Sequence, residues 1–399
     1  MNTYDLWSDH TSADPLPTLA RMRSDAPAIR LFNPYQDAPE WWVTRYDDVA
    51  ALLHDPRFSR DKRKLSEQAR ARYFRVTELD QLDQHVLYSD PPEHTRLRSL
   101  VGKAFTPRRI ADLTPRVEEA VERLLDQAEQ HDTTDLLEAL AFRLPLAVLT
   151  ELIGIPEEDR EKFREWTGIL VAPADFTALA RMATEFQEYL ERFLAQRRTS
   201  PRPDLTSALI AAEESGERLT PAELMSMVFL LIAAGFETTG NLIGNSVWAL
   251  LTHPDQLRRL RADPALTGSA VEEVLRYCPP VKNTTGAFPL EDTEFCGVTI
   301  PAEEMIVGSL LSAHHDPTHF PDPERFDITR TPNRHLAFGH GIHFCLGAAL
   351  ARLETTITLN ALLRRYPHLT LAADPDTLRW KDGVFIRGME TLPVTWGDR

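Results

Sequence analysis

Cysteine is scarce in this chain: three residues in 399, at Cys278, Cys296 and Cys345, with no C-x-x-C pair. That usage excludes a disulfide framework and a thiolate zinc site and fits a reducing compartment. Positive charge is in deficit. The 44 Lys and Arg against 60 Asp and Glu leave a net charge of −16, which argues against nucleic acid and an anionic membrane surface as partners. No apolar run reads as long enough to cross a bilayer, and residues 1–7 lack the basic-then-apolar layout of a signal peptide. The expected location is the cytoplasm. No Gly/Ser-rich linker, repeat or low-complexity tract divides the chain, so residues 1–399 read as one domain. There is no G-x-G-x-x-G fingerprint for a flavin or nicotinamide, so any electrons have to come from another protein.

What is present is an apolar fraction of 43%, enough for a sizeable core, with 29 prolines scattered as loop punctuation. Residues 40–44, Glu-Trp-Trp-Val-Thr, read as a strand, and residues 47–53 as a helix closed by His54-Asp55-Pro56. Residues 60–90 are charged and irregular and read as a long surface segment. Asp90-Pro91-Pro92-Glu93 opens a helix carrying His94, Arg96 and Arg98. From 107 to 260 the pattern is helical almost throughout. Thr220-Pro221-Ala222-Glu223 is a capping box with Pro at the first helical position, and predicts one helix over about 220–252. Its middle is apolar nearly all round and should be buried. Strand and turn signals return over 281–331 and again between Leu371 and Trp396. The fold class is mainly α with a minor β region, α+β.

The densest chemical signal is Phe338-Gly339-His340-Gly341-Ile342-His343-Phe344-Cys345-Leu346-Gly347, followed by a helical pattern. A cysteine ahead of a helix N-terminus lies at the positive end of the dipole, which favours thiolate over thiol. Glycines on both sides let the backbone approach something flat. No general base accompanies the thiol, so the loop suits an iron ligand better than a nucleophile. A lone cysteine is otherwise commonly a buried structural residue. Three further patterns stand out. Ala233-Ala234-Gly235-Phe236-Glu237-Thr238-Thr239 puts an acid beside a hydroxyl in an apolar helix, which needs a reason or a distant basic partner. Glu273-Val274-Leu275-Arg276 is an i,i+3 pair, by itself no more than an ordinary helix ion pair. His94 and Arg98 share a helical face at i,i+4, as a surface basic patch would.

Together these resemble, in order and over nearly the whole chain, the motifs of the cytochrome P450 superfamily. The decapeptide is similar to its haem-binding loop F-x-x-G-x-x-x-C-x-G, and residues 234–238 to its A-G-x-[DE]-T motif. The resemblance implies a monooxygenase with haem b, iron protoporphyrin IX, held by Cys345 as the proximal thiolate. It implies that Thr238 hydrogen-bonds dioxygen, that Glu237 helps deliver protons, and that His94, Arg98 and His343 meet the haem propionates. It further implies a structural Glu273–Arg276–Arg325 network, the last residue from Pro323-Glu324-Arg325-Phe326. One position departs from the pattern: Ala287, with Gly286 the other candidate, stands where bacterial relatives often carry a propionate-binding arginine, and Lys282 is a conceivable substitute.

Electrons would come from a ferredoxin and ferredoxin reductase, docked near Arg96, Arg108, Arg109, Arg334 and Arg352. The substrate pocket would draw on residues 60–90, 165–185, 228–233, 281–287 and 384–386. The implied substrate is an apolar small molecule, a polyketide or macrolide of the kind tailored by actinobacterial secondary-metabolite enzymes, hydroxylated or epoxidised. The alternatives are a peroxide-driven peroxygenase, against which the intact Glu237-Thr238 pair argues, and a non-catalytic haem or ligand carrier.

Overall fold

A computed structural model describes residues 4–8, 11, 13–171, 175–214 and 219–397 of the chain. The residues fall into two compact units. One comprises Met1–Phe58, Asp112–Leu144 and Thr238–Arg399; the other comprises Ser59–Ala111 and Pro145–Glu237. Residues 172–174 of the expected pocket segment, and residues 1–3 of the N-terminus, lie outside the described residues.

The first unit holds all the larger sheets. Ala28–Asn33 and Ala38–Val43 pair antiparallel, with Ala28 opposite Val43, and Ala38–Val43 pairs in parallel with Met305–Gly308. Apolar, β-branched and aromatic residues dominate these strands and feed one cluster: Val43 and Ile306 pack with Leu310, of the short helix Leu310–His314, and with Val49, Leu52 and Leu53 of the helix Tyr46–His54. The one buried acid of the sheet, Glu40, is satisfied locally, accepting from Asn33 Nδ2 at 3.0 Å and Trp42 Nε1 at 2.7 Å. A second sheet orders Thr133–Asp135, Pro393–Thr395 and Thr370–Leu371. A hairpin, Thr293–Phe295 with Val298–Ile300, turns at Cys296-Gly297, both with positive φ (51° and 77°) as a two-residue I′-type turn requires. The helices that frame the cysteine loop are Thr267–Tyr277 and Ala348–Arg365.

The second unit is helical. Phe163, Trp166, Phe186, Tyr189 and Phe229 make an aromatic core with ring centroids 4.9–5.8 Å apart along its contacts. Two expectations are corrected here. Residues 60–90 are no loose surface segment. Lys62 is buried and pairs with Asp80 and Asp83 at 2.5 Å each, while Leu65, Ala69, Tyr73, Val76, Leu82 and Val86 turn inward. Compensated burial of charge explains why a charged composition misleads. The long helix is also not continuous. It runs from Pro221 to Gly235, breaks at Phe236, and resumes as Glu237–Thr252. No proline is needed. Gly235 is a poor helix former drawn against Leu149, where a Cβ would lie 2.7 Å from a methyl carbon. The capping box forms as the sequence predicts, with Glu223 N donating to Thr220 Oγ1 at 3.2 Å and Thr220 N to Glu223 Oε2 at 2.8 Å. Taken as one run, Pro221–Thr252 is apolar and long enough to cross a membrane, contrary to the reading from sequence, and most of it is buried inside the protein.

Candidate active site

The cysteine loop is fixed by its own backbone. Gly339 and Gly341 adopt φ of 71° and 70°, a region open to glycine at no cost. Gly341 is doubly constrained, since a Cβ there would meet the Leu53 carbonyl oxygen at 2.8 Å. The turn Gly341–His343 follows, and Cys345 N donates to the Phe338 carbonyl at 2.8 Å, closing the loop. Gly347 then caps the 18-residue helix Ala348–Arg365. Cys345 therefore lies two residues ahead of the cap, where the dipole favours a thiolate.

The three thiols differ in kind. Cys345 is exposed, and its loop neighbours Ile342 and Phe344 are exposed apolar side chains. Cys278 is buried, and burial pushes its thiol up to about 12. Cys296 occupies the hairpin turn, and burial, with a hydrogen bond to Asp48, raises it to about 12 as well. Only Cys345 offers an accessible sulfur on an apolar, glycine-lined face. That donor set fits the flat, apolar body and single protein ligand of a haem.

A clamp stands behind the loop. Arg352 lies 4.4 Å over the Phe338 ring and makes a bidentate pair with Glu272 at 2.7 and 2.8 Å. His335 bonds the same carboxylate at 3.1 Å. Burial alone would raise Glu272, but hydrogen bonds from Arg352 and His335 hold it down to about 2. Sequence reasoning missed this clamp; its only signal was Glu272 next to the recognised Glu273.

At the centre of the neighbouring network, every side-chain donor of Arg276 has an acceptor. Glu273 and Arg276 are both 0% exposed in their side chains and pair at 2.8 Å. Arg276 also donates to the carbonyls of His314 (3.0 Å), Pro323 (2.7 Å) and Arg325 (3.1 Å). Glu273 accepts from Asp327 N at 3.0 Å, Arg330 Nε at 3.2 Å and Asn333 Nδ2 at 3.1 Å. The third arginine is thus Arg330, not Arg325. The Arg325 guanidinium is 60% exposed and reaches only Asp327, at 3.5 Å. Its carbonyl alone joins the network, because the chain crosses Arg276 there with the side chain turned out.

The other expected site residues are divided between the units. His343, half-buried, shares the loop of Cys345, and Thr238 is the second residue of the helix Glu237–Thr252. In the second unit, His94 is buried and Arg98 half-buried on the helix Glu93–Gly102, and Glu237 is buried where its helix begins. Ala287 exchanges both backbone hydrogen bonds with Ile306, at 3.0 and 2.9 Å, and packs in the apolar cluster of the sheet. Lys282, the conceivable substitute, is instead held by the Gly383 carbonyl.

A glycine-turned loop that presents one thiol ahead of a helix, in a mainly helical protein, fits the class of haem-thiolate proteins. A Cytochrome P450 family model matches residues 169–389, and the chain belongs to that family, as a haem-iron monooxygenase acting on small molecules with dioxygen and redox partners. It is similar to the cytochrome P450 monooxygenase PikC of Streptomyces venezuelae, 47% identical over 96% of this chain and 92% of that one. It is also similar to the 6-deoxyerythronolide B hydroxylase of Saccharopolyspora erythraea, 39% identical over 98% of each. Among solved structures, the myxobacterial cytochrome P450 CYP267B1 in complex with myristic acid superposes with a TM-score of 0.95, at 47% identity over 99% of both chains.

Proposed function

We propose that this cytochrome P450 hydroxylates or epoxidises a polyketide- or macrolide-like natural product. The cofactor in this reading is haem b, and the electron donors are a cytoplasmic ferredoxin and its reductase. The observation that carries the reading is the exposed Cys345 in its closed glycine loop. The names of similar proteins, among them a mycinamicin IV hydroxylase/epoxidase of Micromonospora griseorubida, 40% identical over 94% of each chain, support the substrate class.

In this reading Cys345 would hold the haem iron through its thiolate, and His94, Arg98 and His343 would hold the propionates by charge-assisted hydrogen bonds. When bound, the haem would supply the activation of dioxygen by which one oxygen atom is inserted at a C–H or C=C bond and the other leaves as water. Each turnover needs two electrons and two protons from outside. Glu237 and Thr238 open the helix that follows the break at Phe236, and in this reading the Thr238 hydroxyl would hydrogen-bond dioxygen while Glu237 would help deliver protons. Arg108, Arg109 and Arg334 are exposed and suit an acidic redox partner, whereas Arg96 and Arg352 are already paired with Glu223 and Glu272.

The test is the reduced, carbon-monoxide-treated protein. Wild type, Cys278→Ser and Cys296→Ser should give the red-shifted Soret band of a thiolate haem, and Cys345→Ser should lose it. Thr238→Ala should keep haem and substrate binding but divert electrons to peroxide; unchanged coupling of electrons to product removes Thr238 from the mechanism.

A further inference from the structure

Buried cations normally have an acid beside them, because an uncompensated charge in a dry interior is costly. Two in the first unit do not. Lys282 is 4% exposed and Arg387 8%. Neither has an Asp or Glu within ion-pair distance among the described residues. The Lys282 ammonium donates to the Gly383 carbonyl and nothing else. Arg387 stacks 4.0 Å over Trp380, and its Nε and Nη1 donors are buried with no hydrogen-bond partner.

The backbone brings the two together. Arg387 N donates to the Pro280 carbonyl at 2.9 Å, Val281 bridges Ile386, and Lys282 N donates to the Phe385 carbonyl at 2.8 Å. In this antiparallel pairing Val281 and Ile386 share one face, so Lys282 and Arg387 share the other as diagonal neighbours. The pairing is rigid. Asn245 Nδ2 holds the carbonyls of both Cys278 and Arg387 at 3.0 Å, and Trp380 is braced edge-on by Trp248 at 4.8 Å. Burial lowers the proton affinity of both groups, and the Arg387 charge lowers that of Lys282 further, to about 7; the acids that act on them, Asp382 on Lys282 and Asp14 on Arg387, do so from beyond ion-pair distance. The tip of the loop remains open: Asp382 and Gly383 are exposed, and Phe385 is 39% exposed.

The geometry points to a carboxylate-binding site made by Lys282 and Arg387, with apolar walls from Phe385 and Trp380. A monoanion suits two cations of which one has an ammonium already shared with a carbonyl. The aromatic walls suit an acid with an apolar body, and so define an apolar carboxylic acid as ligand. This deepens the substrate reading above and rests on it; a free small carboxylate is the other source of the same group.

The experiment is equilibrium calorimetry on the haem-loaded protein with laurate, 1-dodecanol and formate, in wild type, Lys282→Met, Lys282→Arg and Arg387→Met. Laurate should bind wild type about tenfold more tightly than 1-dodecanol, the discrimination of a charge-assisted hydrogen bond. The preference should vanish in Lys282→Met and survive in Lys282→Arg, which remains decisive if Arg387→Met does not fold. Formate binding that is lost in Lys282→Met, without a preference for laurate, assigns the site to free small acids. Equal binding of laurate and 1-dodecanol together with no formate binding overturns the proposal. Failure of the haem-thiolate reading shows separately, as loss of the thiolate Soret band in wild type.

Discussion

Two buried guanidinium groups in one unit are treated in opposite ways. Arg276 is 0% exposed in its side chain and every contact answers a donor: two bonds to Glu273 and three to backbone carbonyls. Arg387 is nearly as buried, faces a second cation across a strand pair, and leaves Nε and Nη1 unanswered. Full compensation makes the first a scaffold element whose members matter only together. Missing compensation marks the second as a place built to receive something, because a fold gains no stability from an orphaned charge.

The sharpest way to test the contrast is to remove the acid at the centre of the satisfied network. Glu273→Ala strands Arg276 and Arg330 and leaves Asp327 N and Asn333 without their acceptor. Breaking a buried pair in this way costs about 3–5 kcal/mol. Denaturant unfolding should show that loss, and the purified protein should contain little haem. A variant of wild-type stability would show that the network is ornamental.

Arg330→Ala comes next. Its Nε bond to Glu273 and its Nη bonds to the Pro321, Asp322 and Arg325 carbonyls tie the loop after Phe320 to the helix Thr267–Tyr277. Loss of a charged hydrogen bond at a site 10% exposed should cost about 1.5–3 kcal/mol. Haem retention should fall in the same order as stability across Glu273→Ala and Arg330→Ala.

That Arg330 and not Arg325 completes the network shows where sequence stops informing. The Cys345 loop, the Thr220 capping box and the Glu273–Arg276 pair are legible because each lies within a few residues and depends on local geometry. The third arginine depends on how residues 323–333 return to the helix, a long-range event with no local signature. The same holds for residues 60–90, where Lys62 is buried only because Asp80 and Asp83 come back to meet it. The break at Phe236 also escaped the apolar pattern, since periodicity reports which face is buried and not whether the ladder continues. The uncompensated Lys282 and Arg387 were invisible for the converse reason: a sequence shows which charges exist, but not which lack partners.

Lys282→Met should invert the sign. The groups acting on Lys282 are Arg387 across the strand pair and Asp382 beside it, with burial the largest influence. Below about pH 7 the ammonium is charged both folded and unfolded, so the whole cost of burying it is present. Above that, the folded protein releases a proton that the unfolded chain keeps up to about 10.5, and the cost fades. In carboxylate-free buffer the variant should be more stable than wild type by on the order of 1 kcal/mol below pH 7, and the gain should shrink towards pH 10. A gain independent of pH would be packing alone and would erase the contrast with Arg276.

The smallest effect belongs to Arg325→Ala. Its guanidinium lies mostly in solvent and its one acid, Asp327, is 3.5 Å away and already bonded to Thr329. An exposed pair of that length is worth about 0–1 kcal/mol and is screened by salt. What Arg325 gives the network is its carbonyl, which accepts from Arg276 Nη2 at 3.1 Å and Arg330 Nη2 at 2.9 Å, and alanine supplies the same carbonyl. The backbone there is held by Arg325 N donating to the Asp322 carbonyl at 3.0 Å, also independent of the side chain. Stability and haem content should therefore match wild type within about 0.5 kcal/mol at moderate salt. If Arg325→Ala were to lose haem as Glu273→Ala does, its side chain would have to reach inward, and Arg330 would lose its place as the third arginine.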